Sequence, residues 1–246
     1  MKRRNVLVGL GAGLVAGCSK IGDTQPMRKL FGLAEDWHRG AQRTLAGRNA
    51  LAREFAPADI SPMFRGNGTT DPGDATYAAH SSAGFAGWKL AVGGLVEHPL
   101  ELSLEQVRAL PQRTQITRHD CVEGWSAIGQ WTGPQLKTIL DIAKLKPEAR
   151  YIVFRCADLL DGAPYYESVD LVDAFHPQTI VAHQLNGAPL PVKHGDPLRM
   201  RIERQLGYKH AKYVNAIEAV ASLDSIGGGK GGFWEDRAGY QWYAGI

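Results

Sequence analysis

Short apolar runs with the composition of β-strands, separated by helices at irregular intervals, limit the possible folds most strongly. Six such runs occur, at residues 88–92, 114–117, 151–154, 179–185, 198–202 and 213–221. Helices do not alternate regularly with them, which argues against a doubly wound parallel sheet. The sequence therefore predicts an α+β domain with mixed β-sheets and peripheral helices.

Local signals place helices between these runs. Ser103 and Gln106 form a capping box ahead of an apolar stretch at 107–110, and Pro134 precedes a helical pattern at 136–143. Upstream, apolar residues recur at three- and four-residue steps from 27 to 55, which predicts one or two amphipathic helices.

A glycine-rich segment at 227–232 leads into five aromatic residues near the C-terminus. We expect this tail to fold back on the domain, because a free tail would leave its apolar rings in water. The pair Asn186-Gly187 predicts a tight turn. We predict four segments, namely an export signal at 1–17, a helical segment at 18–57, the main domain at 58–222 and the tail at 223–246.

The N-terminus resembles a bacterial export signal. Lys2-Arg3-Arg4 precedes an apolar run at 6–16, which is too short to span a bilayer as a helix of ~20 residues. Small residues followed by Cys18 resemble a lipobox, which predicts acylation of Cys18 and a lipid anchor on the periplasmic side of the cell envelope. The paired arginines resemble a twin-arginine signal, which exports folded proteins. The alternative is an uncleaved apolar N-terminus with an incidental cysteine.

The formal net charge of +3 comes from this signal. Removing its three basic residues from the 28 Lys and Arg leaves 25, equal to the 25 Asp and Glu. The remainder is formally neutral, so nothing in the charge balance indicates nucleic-acid binding.

Cys121 is the residue that most clearly indicates a chemical function. It follows a predicted strand, and its neighbours Arg118 and His119 predict a setting that favours the thiolate. The residues alone leave three interpretations open. Cys121 could be a hydrolase nucleophile, could form a disulfide with Cys156, or could bind a soft metal whose other ligands come from a non-protein group. Candidate histidine partners for a nucleophile are His119, His183, His194 and His210.

Two sequence blocks resemble a known family. Residues 119–126 and 131–134 resemble the molybdenum-ligand segment of the sulfite-oxidase-type molybdopterin oxidoreductases. They are most similar to the compact bacterial branch that includes the protein-methionine-sulfoxide reductases. A second block, within 185–213, resembles the stretch that holds the pterin in that family. The resemblance covers about residues 60–220 and implies the sulfite-oxidase-type fold.

The resemblance implies that Cys121 is the molybdenum thiolate and that one pterin binds each molybdenum. It also implies a set of pterin-contacting residues: Asn67, Cys156, His194, Arg199, Gly207, Tyr208, Lys209 and Lys212. Arginine and lysine would bind the pterin phosphate, and glycine at 207 would allow close backbone approach. The branch has threonine in place of Cys156 and asparagine in place of His194.

Tyr166 is predicted to line the substrate pocket, together with Glu123 and Trp125. A phenol beside an oxo-metal centre can donate a hydrogen bond to a substrate oxygen, so Tyr166 is our candidate catalytic tyrosine.

The implied activity is two-electron oxygen-atom transfer on a small or protein-bound S-oxide, N-oxide or sulfite-like substrate. The chain has no Cys-x-x-Cys-His haem motif and too few cysteines for an iron–sulfur cluster. Electrons are therefore expected to come from an external partner, either a membrane haem protein or a soluble cytochrome. We expect a monomer, because only a short segment follows the matched region. The alternatives are a cofactor-free binding lipoprotein and a cysteine hydrolase that uses Cys121.

Overall fold

The computed structural model describes residues 24–246, without the side chains of Arg28, Lys29 and Ala46. The chain divides into two compact units, one ending at Gly47 and the other spanning Arg48–Ile246. In the first unit, helix α1 (Gln25–Ala46) carries Pro26 in its first turn and ends at Gly47. Within the described residues, no helix combines the length and the apolar character needed to cross a bilayer.

The predicted helical pattern from 27 to 55 is correct only for its first part. Residues 48–56 run without helix in the second unit, where the backbone N–H of Phe55 donates to the carbonyl of Ile116 at 2.9 Å. Glu54 also forms a bridge with Thr117. The apolar residues of this stretch therefore follow a strand edge rather than a helix face.

A five-stranded sheet forms one half of the second unit. Its strands are β1 (Lys89–Gly94), β2 (Leu100–Ser103), β5 (Tyr151–Leu160), β6 (Ala163–Asp170) and β11 (Val214–Val220). Their spatial order is β2-β1-β11-β5-β6, and the only parallel pair in this sheet is β1 with β11.

Two smaller sheets form the other half. Their strands are β3 (Gln112–Asp120), β4 (Ser126–Pro134), β7 (Ile180–Ala182), β8 (Gln184–Leu185), β9 (Ala188–Pro189) and β10 (Arg199–Arg201). A four-stranded sheet has the order β3-β4-β8-β9, and a two-stranded sheet pairs β7 with β10. The predicted turn at Asn186-Gly187 is confirmed, because it joins β8 to β9 with φ of 53° and 78°.

The single strand predicted at 179–185 is two strands in different sheets. Ala182 pairs with Arg199 in the two-stranded sheet, whereas Gln184 pairs with Thr132 in the four-stranded sheet. The chain changes partner at His183, whose N–H donates to the carbonyl of Thr132 at 2.9 Å. This stretch therefore links the two smaller sheets.

Five short helices surround the sheets: α2 (Ala75–Ser82), α3 (Leu104–Ala109), α4 (Leu136–Ala143), α5 (Leu171–Ala174) and α6 (Phe233–Ala238). The predicted capping box is confirmed, because the N–H of Gln106 donates to Ser103 Oγ at 3.2 Å and that of Ser103 donates to Gln106 Oε1 at 2.8 Å. The predicted α+β fold class is likewise confirmed.

Strand alternation places apolar residues on both faces of the five-stranded sheet. Ile152 and Phe154 of β5 belong to the main core, which includes the buried face of α4. Val153 points to the opposite face and packs with Tyr166 and Phe233 of the C-terminal tail. Both faces of β5 are thus buried, one by helices and one by the tail.

Candidate active site

Cys121 lies in the tight connection between β3 and β4. Its N–H donates to the carbonyl of Trp125 at 2.9 Å, and its own carbonyl accepts from the N–H of Gly124 at 3.0 Å. Gly124 has φ of 84°, a conformation that favours glycine. The ends of the hairpin are closed by the pairing of Asp120 with Ser126. The backbone of this connection is therefore fixed, and the thiol has a defined position.

A loop from the region before α2 holds the thiol from the other side. Asn67 Nδ2 donates to Cys121 Sγ at 3.2 Å. Lys212 Nζ donates to the carbonyl of Asn67 at 2.8 Å and also to that of Thr69. The hydroxyl of Tyr213 donates to the same Thr69 carbonyl at 3.0 Å. The ammonium of Lys212 thus holds in place the loop that carries Asn67.

A cavity of about 320 Å³ opens beside this loop. Its buried floor contains Asp158, Arg199, Gly207 and His210, whereas Val122 and Glu123, which follow Cys121, lie on the exposed rim. The complete lining is Asn67, Gly68, Thr69, Val122, Glu123, Asp158, Leu160, Asp161, Tyr165, Arg199, Gly207, Tyr208, His210, Lys212, Trp234 and Tyr240. The cavity therefore has a polar interior and a partly apolar mouth.

Arg199 supplies positive charge to the floor. Its Nη1 donates to the carbonyl of His194 at 3.0 Å, and its guanidinium carbon lies 4.8 Å from the ring centroid of Trp131. Burial, with the nearby charge of Arg201, lowers the pKa of Arg199 to about 9. Its Nε has no hydrogen-bond partner among the described residues. An anion in the cavity could accept a hydrogen bond from this Nε and would favour the protonated guanidinium.

His210 in the floor and His119 behind it have opposite hydrogen-bonding character. A guanidinium can only donate, so the contact of 2.9 Å from Arg201 Nη1 to His119 Nδ1 leaves the proton of neutral His119 on Nε2. His210 Nε2 donates to the carbonyls of Ile202 and Gln205, so its Nδ1 is an acceptor. Within the part of the chain described, neither His119 Nε2 nor His210 Nδ1 has a partner.

The expectation that Arg118 and His119 favour the thiolate is wrong for this structure. Arg118 is exposed and pairs with Asp120, and burial lowers the pKa of His119 so far that it is neutral. Burial, reinforced by the carboxylate of Glu123, raises the pKa of Cys121. Its neighbours in sequence therefore give the thiol no positive charge, and a bound cation would have to stabilise the thiolate.

Of the predicted site residues, the structure brings together Asn67, Arg199, Gly207, Tyr208 and Lys212 as lining of the cavity, with Cys121 beside them. A side chain at position 207 is sterically excluded, since its Cβ would lie 2.4 Å from His119 Nε2. Glycine is therefore required at position 207, because its backbone packs directly against the His119 ring.

Tyr166 does not lie in this site, so its predicted role is corrected. Its hydroxyl contacts Asp236, and it lines a separate cavity with Arg155 and Phe233. Tyr165 lines the main cavity instead, because adjacent residues of a strand point to opposite faces. The hydroxyl of Tyr165 donates to the carbonyl of Tyr208 at 2.8 Å.

Lys209 is also corrected, because its ammonium does not line the cavity. Lys209 Nζ lies 2.6 Å from Glu167 Oε2 and 2.5 Å from Glu235 Oε1, and all three side chains are buried. Burial alone would lower the pKa of Lys209, but the two carboxylates raise it. The ammonium of Lys209, which the resemblance assigns to the pterin, is instead paired with two carboxyl groups inside the protein.

Cys156 and His194 support the site without lining this cavity. Cys156 belongs to the main core, and burial raises the pKa of its thiol well above the ordinary value. His194 is buried against Phe64 at a centroid distance of 5.4 Å, and its carbonyl accepts from Arg199. Cys121 and Cys156 are both free, which contradicts the disulfide interpretation.

Several lining residues were not predicted: Thr69, Val122, Asp158, Leu160, Asp161, Tyr165, His210, Trp234 and Tyr240. His210 lies within the second matched block and could have been selected there. Trp234 and Tyr240 belong to the aromatic tail, for which the sequence indicated packing but not the surface it would contact.

Comparisons with known proteins agree with this arrangement. A family described as the oxidoreductase molybdopterin binding domain matches residues 78–225. A protein of Azospira oryzae, provisionally named protein-methionine-sulfoxide reductase subunit YedZ1, is 35% identical over 243 residues, covering 99% of this chain and 86% of its own. The protein-methionine-sulfoxide reductase catalytic subunit MsrP of Campylobacter jejuni is 31% identical over 145 residues, covering 53% of this chain and 48% of its own.

The matched region spans about half the length of such MsrP proteins. Among solved structures, the sulfane dehydrogenase SoxCD from Paracoccus pantotrophus has a similar fold, with a TM-score of 0.52 and 21% identity. The similarity covers 57% of this chain and 40% of that chain.

The residues around the cavity fit a molybdenum-pterin group. A cysteine at the edge can supply a soft metal ligand, and Arg199 matches an anionic phosphate. Among the lining residues, the unpartnered Nε of Arg199 offers a donor and the unpartnered Nδ1 of His210 offers an acceptor, as a pterin ring requires. In residues 24–246, no group of three or more His, Cys, Asp or Glu could hold a metal ion.

Proposed function

Because the chain belongs to the oxidoreductase molybdopterin-binding family, we propose that it is an exported, lipid-anchored reductase of methionine S-oxide. In this proposal Cys121 binds the single molybdenum of a one-pterin cofactor. When bound, the cofactor supplies two-electron oxygen-atom transfer. The S-oxide is proposed from the names of the relatives, which are protein-methionine-sulfoxide reductases.

The observation that carries the proposal is the position of Cys121. Its thiol is held by Asn67 at the edge of a cavity whose floor combines Arg199 with unpartnered polar atoms. A hydrolase would need a histidine base beside the thiol, but His119 Nδ1 already accepts from Arg201. The surroundings therefore favour a metal ligand over a nucleophile.

The side chains of the cavity have separate tasks in this proposal. Arg199 neutralises the phosphate, and Lys212 keeps the loop of Asn67 in place. Asn67 Nδ2 orients the cysteine sulfur by its hydrogen bond. Reduction of an S-oxide consumes two protons and two electrons and releases water, and the electrons would come from an external redox protein. The term catalytic subunit in the relatives' names supports a separate electron-donating partner.

Substitution of the proposed ligand tests the function. In Cys121→Ser, we expect molybdenum content and methionine S-oxide reduction with a viologen donor to fall more than about 100-fold, because the soft ligand is lost. The circular dichroism spectrum should be unchanged. The control Cys156→Ser, which alters a core thiol, should keep its molybdenum. Full metal content and activity in Cys121→Ser would contradict the proposal.

The proposed location rests on residues that lie outside the described part of the chain. Cys18 and the Arg3-Arg4 pair support lipid anchoring after twin-arginine export. We expect palmitate labelling and membrane association of the wild-type chain in a bacterial host. Cys18→Ala should lose both, whereas Ser19→Ala should keep both. Unlabelled wild-type protein in the soluble fraction would refute the anchor.

A further inference from the structure

The cavity has two zones that differ in exposure. The floor residues Asp158, Arg199 and His210 are buried and polar, as expected for the part that holds a cofactor. The rim contains Trp234 and Tyr240, which are half-buried, and Val122, which is 46% exposed. A molecule arriving from solvent would meet the rim before the floor.

Trp234 and Tyr240 form a stacked aromatic pair on this rim. Their rings are stacked, with centroids 5.7 Å apart and an interplanar angle of 23°. The ring of Tyr208 meets Tyr240 edge-on at 5.1 Å and 73°. We call the stacked pair of Trp234 and Tyr240 the aromatic wall.

The aromatic wall is held from both sides. Before Tyr240, the carboxylate of Glu235 binds Lys209 in the interior. After it, the carbonyl of Gln241 accepts from the Tyr208 hydroxyl at 2.6 Å. The N–H of Tyr240 itself donates to the carbonyl of Trp234 at 3.3 Å. The two rings are therefore presented in a preorganised geometry.

The wall comes from a part of the chain that the family match does not include. The match ends at residue 225, whereas Cys121 and the floor lie within it. The segment that would hold the cofactor is thus shared with other oxidoreductases of the family, while the tail adds a wall to the same cavity.

We infer that the aromatic wall is the substrate-recognition surface and takes the methyl, sulfur and methylene groups of a methionine S-oxide side chain. This inference rests on the proposed function. Sulfur and methyl groups make favourable contacts with aromatic rings, whose faces carry partial negative charge. The wall shares the rim with Val122, next to Cys121, so a bound side chain would lie close to the proposed metal ligand.

The charges of the rim oppose a different substrate class. Glu123 and Asp161 are exposed carboxylates on the same rim. An inorganic anion such as sulfite would be repelled by them and would gain nothing from the face of an aromatic ring. The rim therefore favours a neutral S-oxide with apolar alkyl groups over sulfite.

The test uses the loaded enzyme with a viologen donor and two S-oxides. N-acetylmethionine S-oxide amide can cover the wall with its methyl, sulfur and methylene groups, whereas dimethyl sulfoxide offers only two methyl groups and a sulfur and would cover less of it. In Trp234→Ala and Tyr240→Ala, we expect KM for the methionine compound to rise about 3- to 10-fold. We expect kcat for that compound, and KM for dimethyl sulfoxide, to change less than about twofold.

Matched variants separate recognition from folding. Trp234→Phe and Tyr240→Phe keep an aromatic face and should restore most of the KM. Tyr243→Ala removes a tail aromatic that does not line this cavity and should leave KM unchanged. Molybdenum and pterin contents should stay at the wild-type level in all five variants.

Three results would overturn the inference. These are an unchanged KM in both alanine variants, an equal rise for both S-oxides, and a loss of pterin, which would show that the wall holds the cofactor. A wild-type enzyme that is fully loaded but reduces neither S-oxide would instead refute the proposed function. The two failures are therefore distinguishable.

Discussion

The carboxyl group of Asp196 is partly buried. Its backbone carbonyl accepts from the hydroxyl of Tyr77 at 2.7 Å. Burial raises the pKa of the Asp196 carboxyl from 3.8 to about 6, although the charge of Arg108 acts in the opposite direction. The folded protein therefore binds this proton more tightly than the unfolded chain does.

This difference predicts a pH effect on stability. Between about pH 4 and pH 6 the native state holds more protons than the unfolded state, so the free energy of unfolding falls as pH rises through this range. Asp196→Asn stays neutral, so we expect its melting temperature relative to wild type to increase from pH 4 to pH 7. Thermal unfolding followed by circular dichroism measures this. A difference that does not change with pH would refute the prediction.

The pair Tyr165 and Tyr166 shows what a sequence can and cannot indicate for a single residue. The sequence predicts Tyr166 at the site, whereas its neighbour Tyr165 lines the cavity. Strand alternation puts the two side chains on opposite faces, and the sequence gives no sign of which face meets the cavity. A short motif with a fixed backbone, such as the turn at Cys121, does not have this ambiguity.

At the scale of elements, a buried ion cluster joins the C-terminal helix to the sheet. Lys209 follows the floor glycine, Glu167 belongs to β6 and Glu235 belongs to α6. Burial raises the pKa of Glu167 well above its ordinary value, although the ammonium of Lys209 acts in the opposite direction. The lysine charge thus compensates carboxyl groups that are completely buried, as burial of charge requires.

Removing the lysine should destabilise the protein strongly. Lys209→Met leaves two carboxyl groups without a cation in the interior, so we expect the free energy of unfolding to fall by about 3–5 kcal/mol. Glu235→Gln leaves Lys209 paired with Glu167 and should cost less than about 1.5 kcal/mol. Urea denaturation of the two variants measures the difference. Equal losses would show that the cluster does not stabilise the protein as an ion cluster.

The elements that the sequence predicts correctly are those whose structure depends on residues close together in the chain. The capping box of α3 and the Asn186-Gly187 turn depend on residues a few positions apart. The switch of strands at His183 depends instead on pairing with β4 and β10, which are distant in sequence. No local pattern records such partners, so a continuous apolar run was interpreted as one strand.

At the scale of the whole molecule, the two ends of the described chain differ in their relation to the main domain. Residues up to Gly47 form a separate compact unit. The tail instead belongs to the larger unit, where Leu206 N–H donates to the carbonyl of Ala244 at 2.9 Å and Trp242 Nε1 donates to Ser168 Oγ at 2.8 Å. Phe233 covers the outer face of β5 and β6.

Two truncated chains of equal length test this difference. A chain of residues 48–246 keeps the whole larger unit, so we expect cooperative unfolding with a melting temperature close to that of residues 24–246. A chain of residues 24–222 loses Glu235, the aromatic wall and the cover of Tyr166, leaving apolar surface in water. It should unfold at a markedly lower temperature and bind a hydrophobic dye. Cooperative unfolding of residues 24–222 at the wild-type temperature would mean that the tail covers the sheet without stabilising it.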